Sequence, residues 1–189
     1  MARYFAFALL ILAAAVCPAQ RSMTGATSRL MLVMSPDVKK EIKVTKAQDK
    51  QIQEAMKVLQ QEMQAGTRPI DLSDPMGSMD VDLTPILDDA QRARLEELYL
   101  QANTGYALSD PKVAAALELT DDQKQKVKTS KTEAAKQLLT LLSEARSASA
   151  MKAAKKKQEE LGVAMLDVLT AEQRAKFEAL KGKEFKFKG

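Results

Sequence analysis

The chain has 189 residues, 46% of them hydrophobic, with 29 Lys and Arg against 25 Asp and Glu, a net charge of +4, no histidine and one cysteine. With no histidine and Cys17 alone, Cys/His zinc sites, Ser-His-Asp or Cys-His catalysis and an intrachain disulfide are excluded. Seven Gly and six Pro are too few for a sandwich or barrel that turns every ten or so residues, whereas the dominant residues (Ala, Leu, Lys, Glu, Gln, Met) lose little side-chain freedom in a helix.

Residues 1–19, MARYFAFALLILAAAVCPA, combine a positive start at Arg3, an apolar run from Tyr4 to Val16 and small residues before Gln20. They read as a secretory signal peptide cleaved after Ala19. The run falls short of the ~20 residues that span a bilayer. An uncleaved anchor and a lipoprotein acylated at Cys17 are the alternatives. The expected destination is the periplasm or envelope. No later stretch approaches transmembrane length. Residues 20–30, QRSMTGATSRL, are small and polar and read as a flexible tether.

The remainder is internally repetitive, which divides it into halves over 31–103 and 104–189. The segment from Pro36 to Gln48 matches that from Pro111 to Gln123 at an offset of 75, and Ile86 to Glu96 matches Val168 to Glu178 at an offset of 82. The seven extra residues of the second half are two helical turns, which leaves a buried face in register. In both halves Thr45…Gln48, Asp88…Gln91, Thr120…Gln123 and Thr170…Gln173 have capping-box spacing: the side-chain oxygen accepts from the N3 amide and the Gln returns to the cap residue's N–H. Ser35-Pro36, Thr84-Pro85 and Asp110-Pro111 add three cap-plus-Pro starts.

Apolar stripes agree with helices. One runs through Ile52, Ala55, Met56, Leu59 and Met63, another through Val127, Ala134, Leu138, Leu142 and Ala145, a third through Leu161, Met165 and Val168. Gly66-Thr67-Arg68-Pro69 to Thr84-Pro85 reads as a loop. In the second half one helix from Thr120 to Leu169 would be roughly 75 Å long, so a bend is expected near Ser143–Ser149. The fold class is therefore all-α, in antiparallel hairpins of capped amphipathic helices.

Val44-Thr45-x-x-Gln48, Leu119-Thr120-x-x-Gln123 and Leu169-Thr170-x-x-Gln173 resemble the LTxxQ motif of the Spy/CpxP-like family of exported bacterial proteins. The resemblance spans roughly residues 31–180. It implies helical envelope proteins whose hairpins dimerise into a curved cradle; some hold unfolded clients without ATP, some modulate envelope-stress signalling and some bind zinc or other metals. Two motif pairs in one chain imply either a monomer with pseudo-dimeric halves or a homodimer. The missing histidine speaks against metal sensing.

Charge is unevenly distributed. Residues 124–157 carry ten basic residues against Glu133 and Glu144, and residues 71–89 carry six Asp and no base. Lys124, Lys128, Lys131, Lys152 and Lys155 are the candidate client-binding basic face, suited to acidic or unfolded polypeptides through long-range, salt-sensitive attraction. The motif residues read as structural caps. Nucleic acid is a poor partner for a chain with an export signal, more Lys than Arg and no aromatic stacking set. Peripheral contact with anionic lipid or wall polymer is the alternative. Met76, Met79, Asp80 and Asp82 are too few of each ligand type for a metal site, and no cofactor is expected. Nor is catalysis: Asp88, Asp89, Asp121 and Asp122 belong to helix starts, where negative charge meets the dipole. The expected function is polypeptide binding, chaperone-like or stress-related.

Overall fold

The computed structural model describes residues 27–69, 77–144 and 147–187. The chain is all-α, with eight α-helices and no strand among the described residues. They are α1 (Arg29–Val33), α2 (Pro36–Glu41), α3 (Lys46–Ala65), α4 (Asp89–Asn103), α5 (Pro111–Ala116), α6 (Asp121–Glu144), α7 (Ala148–Met165) and α8 (Ala171–Leu180). Short 3-10 turns lie at Gly77–Met79, Thr104–Ser109 and Leu166–Val168. No described helix is long and apolar enough to cross a membrane. The proposed signal peptide, Arg146 and the first two Asp of the acidic stretch lie outside the described residues.

Local chemistry explains the starts. All four expected capping boxes form, at Thr45, Asp88, Thr120 and Thr170. Asp110 accepts from the amides of Lys112 and Val113 while Pro111 fills the first helical position of α5. α2 and α5 end alike: Lys43 and Glu118, at φ 55° and 54°, take the left-handed position, and Val44 and Leu119 N–H reach back to Lys39 and Ala114. These are Schellman endings with a non-glycine residue at the turn. α3 ends on Gly66 in the left-handed conformation.

At the two sequence offsets, α2 corresponds to α5, α3 to α6, α4 to α8, and α1 to the Thr104–Ser109 turn. The counterpart of α7 is the stretch from Gly66 to Leu83. There Gly66, Pro69 and Gly77 interrupt the chain, and only a single 3-10 turn is described. One apolar core draws on both halves: Leu32, Ile52 and Leu98 share it with Leu117, Val127 and Phe177, all nearly or fully buried. A satellite of Tyr106, Ala134 and Met165, with Leu161 against it, joins α6 and α7 to the Thr104–Ser109 turn.

Two sequence readings need revision or completion. The tether expected over 20–30 does not extend to its stated end: Ser28 caps α1, and Ser28 and Leu30 are buried. The polar composition that suggested a tether conceals an arginine whose partners lie far along the chain. The stretch from Thr120 to Leu169 is two helices, since α6 ends at Glu144 and Ser147 caps α7. Serines that compete for backbone hydrogen bonds place the break where the composition suggested.

Candidate functional site

The four capping glutamines meet in pairs. Gln48 Nε2 donates to Gln91 Oε1 at 2.7 Å and Gln91 Nε2 donates back to Gln48 Oε1 at 3.1 Å. Gln48 also donates to the Ile86 carbonyl, and Gln91 to that of Ile42. Gln123 and Gln173 repeat the exchange at 2.6 and 3.1 Å, with Val168 and Leu117 supplying the carbonyls. Each clasp fixes the start of a long helix against the start of a later capped helix, α3 against α4 and α6 against α8. Gln91 is buried, and every amide group in both clasps is bonded within the protein.

A second junction centres on Arg29. Its guanidinium pairs with Asp80 and Glu96 at 2.7 Å and Asp110 at 2.8 Å, and it lies 3.9 Å above the Tyr99 ring. Burial opposes its charge, and the bonds and charges of the three carboxylates outweigh that, so its pKa is raised. Burial pushes the Asp80 carboxyl above its usual range against the pull of Arg29. Asp110 is also the cap of α5, so one cation ties α1, the loop, α4 and the second half.

The corresponding place in the second half is uncharged. Gly105 and Gly162, which match Leu30 and Asp80 at the two offsets, press together so closely that a Cβ on Gly105 would lie 2.1 Å from the Gly162 carbonyl oxygen. Tyr106 covers Gly162, and its hydroxyl donates to the Gln158 carbonyl at 3.2 Å. Burial raises the Tyr106 pKa. Lys131 Nζ bonds Ser109 Oγ at 3.0 Å. The Thr104–Ser109 turn thus lies across one side of α6 and α7 and sets their position.

That same side continues beyond the turn. On α6, spacings of three and four put Lys124, Lys128, Lys131, Ala135, Leu138 and Leu139 along one side, and on α7 Met151, Lys155, Gln158 and Gly162 do likewise. Gln123, at the start of α6, touches Val168 just past α7, so the two helices are antiparallel. Leu139 and Met151 therefore sit towards the far end of the pair, 51% and 52% exposed. Of the candidate lysines, Lys124 pairs with Asp121, Lys131 holds the turn, Lys155 lies one helical turn from Met151, and Lys128 lies on the same side of α6 but nearer its start, before the turn. Lys152, next to Met151, is exposed and turned away from this side. On the opposite side, Ala134, Leu161 and Met165 floor an open groove of about 200 Å³.

Among the described residues no group of three His, Cys, Asp or Glu side chains could hold a metal. Sequence reasoning found the capping glutamines but not their pairing, and it missed Arg29, Gly105, Gly162, Leu139 and Met151. The Leu138-Leu139 doublet, of which only Leu138 falls on the apolar stripe, was the available signal for the exposed patch. No family model matches the chain, and no curated protein or solved structure does so either.

Proposed function

We propose that this is an exported, non-enzymatic polypeptide-binding protein that holds partly unfolded or acidic segments against the α6–α7 side bearing Leu139, Met151, Lys128 and Lys155. The observation that carries the reading is the exposure of Leu139 and Met151 together on a lysine-bearing side. Large apolar side chains in a charged surround mark contact sites. Methionine adapts to varied apolar partners, and the lysines draw acidic chains over a distance that salt shortens. The LTxxQ-like motifs resemble those of the Spy/CpxP-like exported proteins and point the same way. In this reading the two halves form a curved cradle, with the Thr104–Ser109 turn at its corner.

Light scattering of a chemically unfolded model protein, without ATP and at low and moderate salt, tests it. Suppression near a stoichiometric ratio is expected, weaker at the higher salt and weaker for Lys128→Glu with Lys155→Glu or Leu139→Ser with Met151→Ser. Lys128, Leu139 and Met151 are exposed and Lys155 is half-buried; surface positions tolerate change within about 0.5 kcal/mol, so melting stays near that of the unaltered chain. A folded protein that fails to suppress aggregation at several-fold excess overturns the reading.

A further inference from the structure

The segment that follows α8 is docked rather than loose. Gly182, at φ 59°, turns the chain back so tightly that a Cβ there would lie 2.2 Å from the Glu97 carboxylate carbon. The chain then runs along α4. Gln101 Nε2 donates to the carbonyls of Lys181 and Lys183, at 2.6 and 2.9 Å, while its Oε1 accepts from the Phe185 N–H at 2.8 Å. Arg94 adds a second donor to the Lys183 carbonyl, at 2.9 Å. One side-chain amide thus satisfies the C=O before and the N–H after Glu184, as a neighbouring parallel strand would. Phe185 and Phe187, two residues apart on an extended chain and so on one side of it, pack edge to face at 5.0 Å and rest half-buried on the core. Lys183, Glu184 and Lys186 are exposed.

We propose that this surface of α4 is a peptide-binding groove filled by the chain's own tail, and that its external ligand is an extended segment of another polypeptide with aromatic side chains at alternating positions. Among the described residues of the tail, Gln101 and Arg94 bond main-chain atoms only, so they recognise an extended backbone of any sequence. Specificity rests with the two rings. The tail hangs from a glycine turn after α8, so exchange leaves the helices in place. This groove is separate from the α6–α7 side and does not rest on the reading given to that side.

The test titrates a fluorescently labelled peptide of the tail sequence, GKEFKFKG, with the full chain carrying Phe185→Ser and Phe187→Ser, and follows anisotropy. Emptying the groove removes an internal competitor, so binding about tenfold or more tighter than to the unaltered chain is expected. Adding Gln101→Ala, or replacing both peptide Phe by Ser, should weaken it by a similar factor. Circular dichroism checks the fold. A second measurement needs no released variant: with a fluorinated Phe185 in the unaltered chain, excess peptide should move the ring's fluorine resonance to its solvent-exposed position. Absence of peptide binding by the folded variant, binding indifferent to Gln101, or an unmoved resonance overturns the proposal. So does a tail-dependent dimer in light scattering, which would assign the groove to a second copy. Lys128→Glu should leave peptide binding unchanged, so this proposal and the hairpin reading fail separately.

Discussion

Gln48 and Gln91 each close a capping box on their own helix and, with the same amide, bond each other across 43 residues of chain. The local bond orients the side chain, so the long-range bond forms between groups already held in place. Gln91→Ala removes a buried partner: Gln48 keeps its bonds to Ile86 and Thr45 but loses the exchange with Gln91, and the Ile42 carbonyl loses the Gln91 donor. A loss of about 1–3 kcal/mol is expected, measured by urea unfolding. A double-mutant cycle with Gln48→Ala should show coupling well above that of two independent caps, and Gln123 with Gln173 should behave alike.

Lys43 and Glu118 hold left-handed turns that a side chain adopts at a cost. Lys43→Gly should therefore raise stability by up to about 1 kcal/mol, part of the relief being offset by the greater freedom of glycine in the unfolded chain. Glu118→Gly should gain less, because it also removes the bond from Lys176 at 2.8 Å that holds the Glu118 carboxyl below its usual range. A higher melting temperature for Lys43→Gly than for the unaltered chain is the check.

What the sequence made legible is what acts over a few residues. Thr45 and Gln48 are three apart and can satisfy each other within one turn, so spacing alone discloses the box. Arg29 was unreadable for the opposite reason: its carboxylates lie 51, 67 and 81 residues away, and the residues just before it are small and mostly polar. Gly105 and Gly162 likewise have meaning only as a pair. The exposed side of α6 hid within a stripe: Leu138 and Leu139 are adjacent, and only the packing of α7 decides that Leu139 faces solvent.

Arg29 is the one cation inside three carboxylates, with only 11% of its side chain exposed. Arg29→Leu should cost about 3–5 kcal/mol, because it leaves buried negative charge uncompensated. Arg29→Lys should recover only part of this, since an ammonium cannot offer the planar fork that reaches Asp80, Glu96 and Asp110 together. Equilibrium unfolding of the two variants tests both statements.

Asp80 gives the junction a pH dependence. Its folded-state pKa is raised by burial, so folding takes up a proton there. The stability that this contributes is full below the usual carboxylate range and is lost as pH rises through the raised folded value. Unfolding free energies of the unaltered chain and of Asp80→Asn, compared from about pH 4 upward, should therefore drift in favour of the variant. A flat difference would mean that Arg29 holds Asp80 at its ordinary value.

Gly105 separates steric from conformational demand. A Cβ there would meet the Gly162 carbonyl oxygen at 2.1 Å and Met165 Cβ at 2.6 Å, and the carbonyl belongs to helix backbone that cannot swing aside. Gly105→Ala must lift the Thr104–Ser109 turn off α7, at about 1–3 kcal/mol or more. Gly66→Ala meets nothing within 4 Å and carries only the strain of φ 66°, about 1 kcal/mol. The two should also differ in where the protein loosens. With the turn lifted, Tyr106 loses the Gln158 carbonyl and α7 its cover, so hydrogen exchange should quicken along α7 in Gly105→Ala. In Gly66→Ala it should quicken only at the end of α3. Because the turn sets how α6 and α7 stand against the core, Gly105→Ala should weaken aggregation suppression without altering any residue on the Leu139–Met151 side.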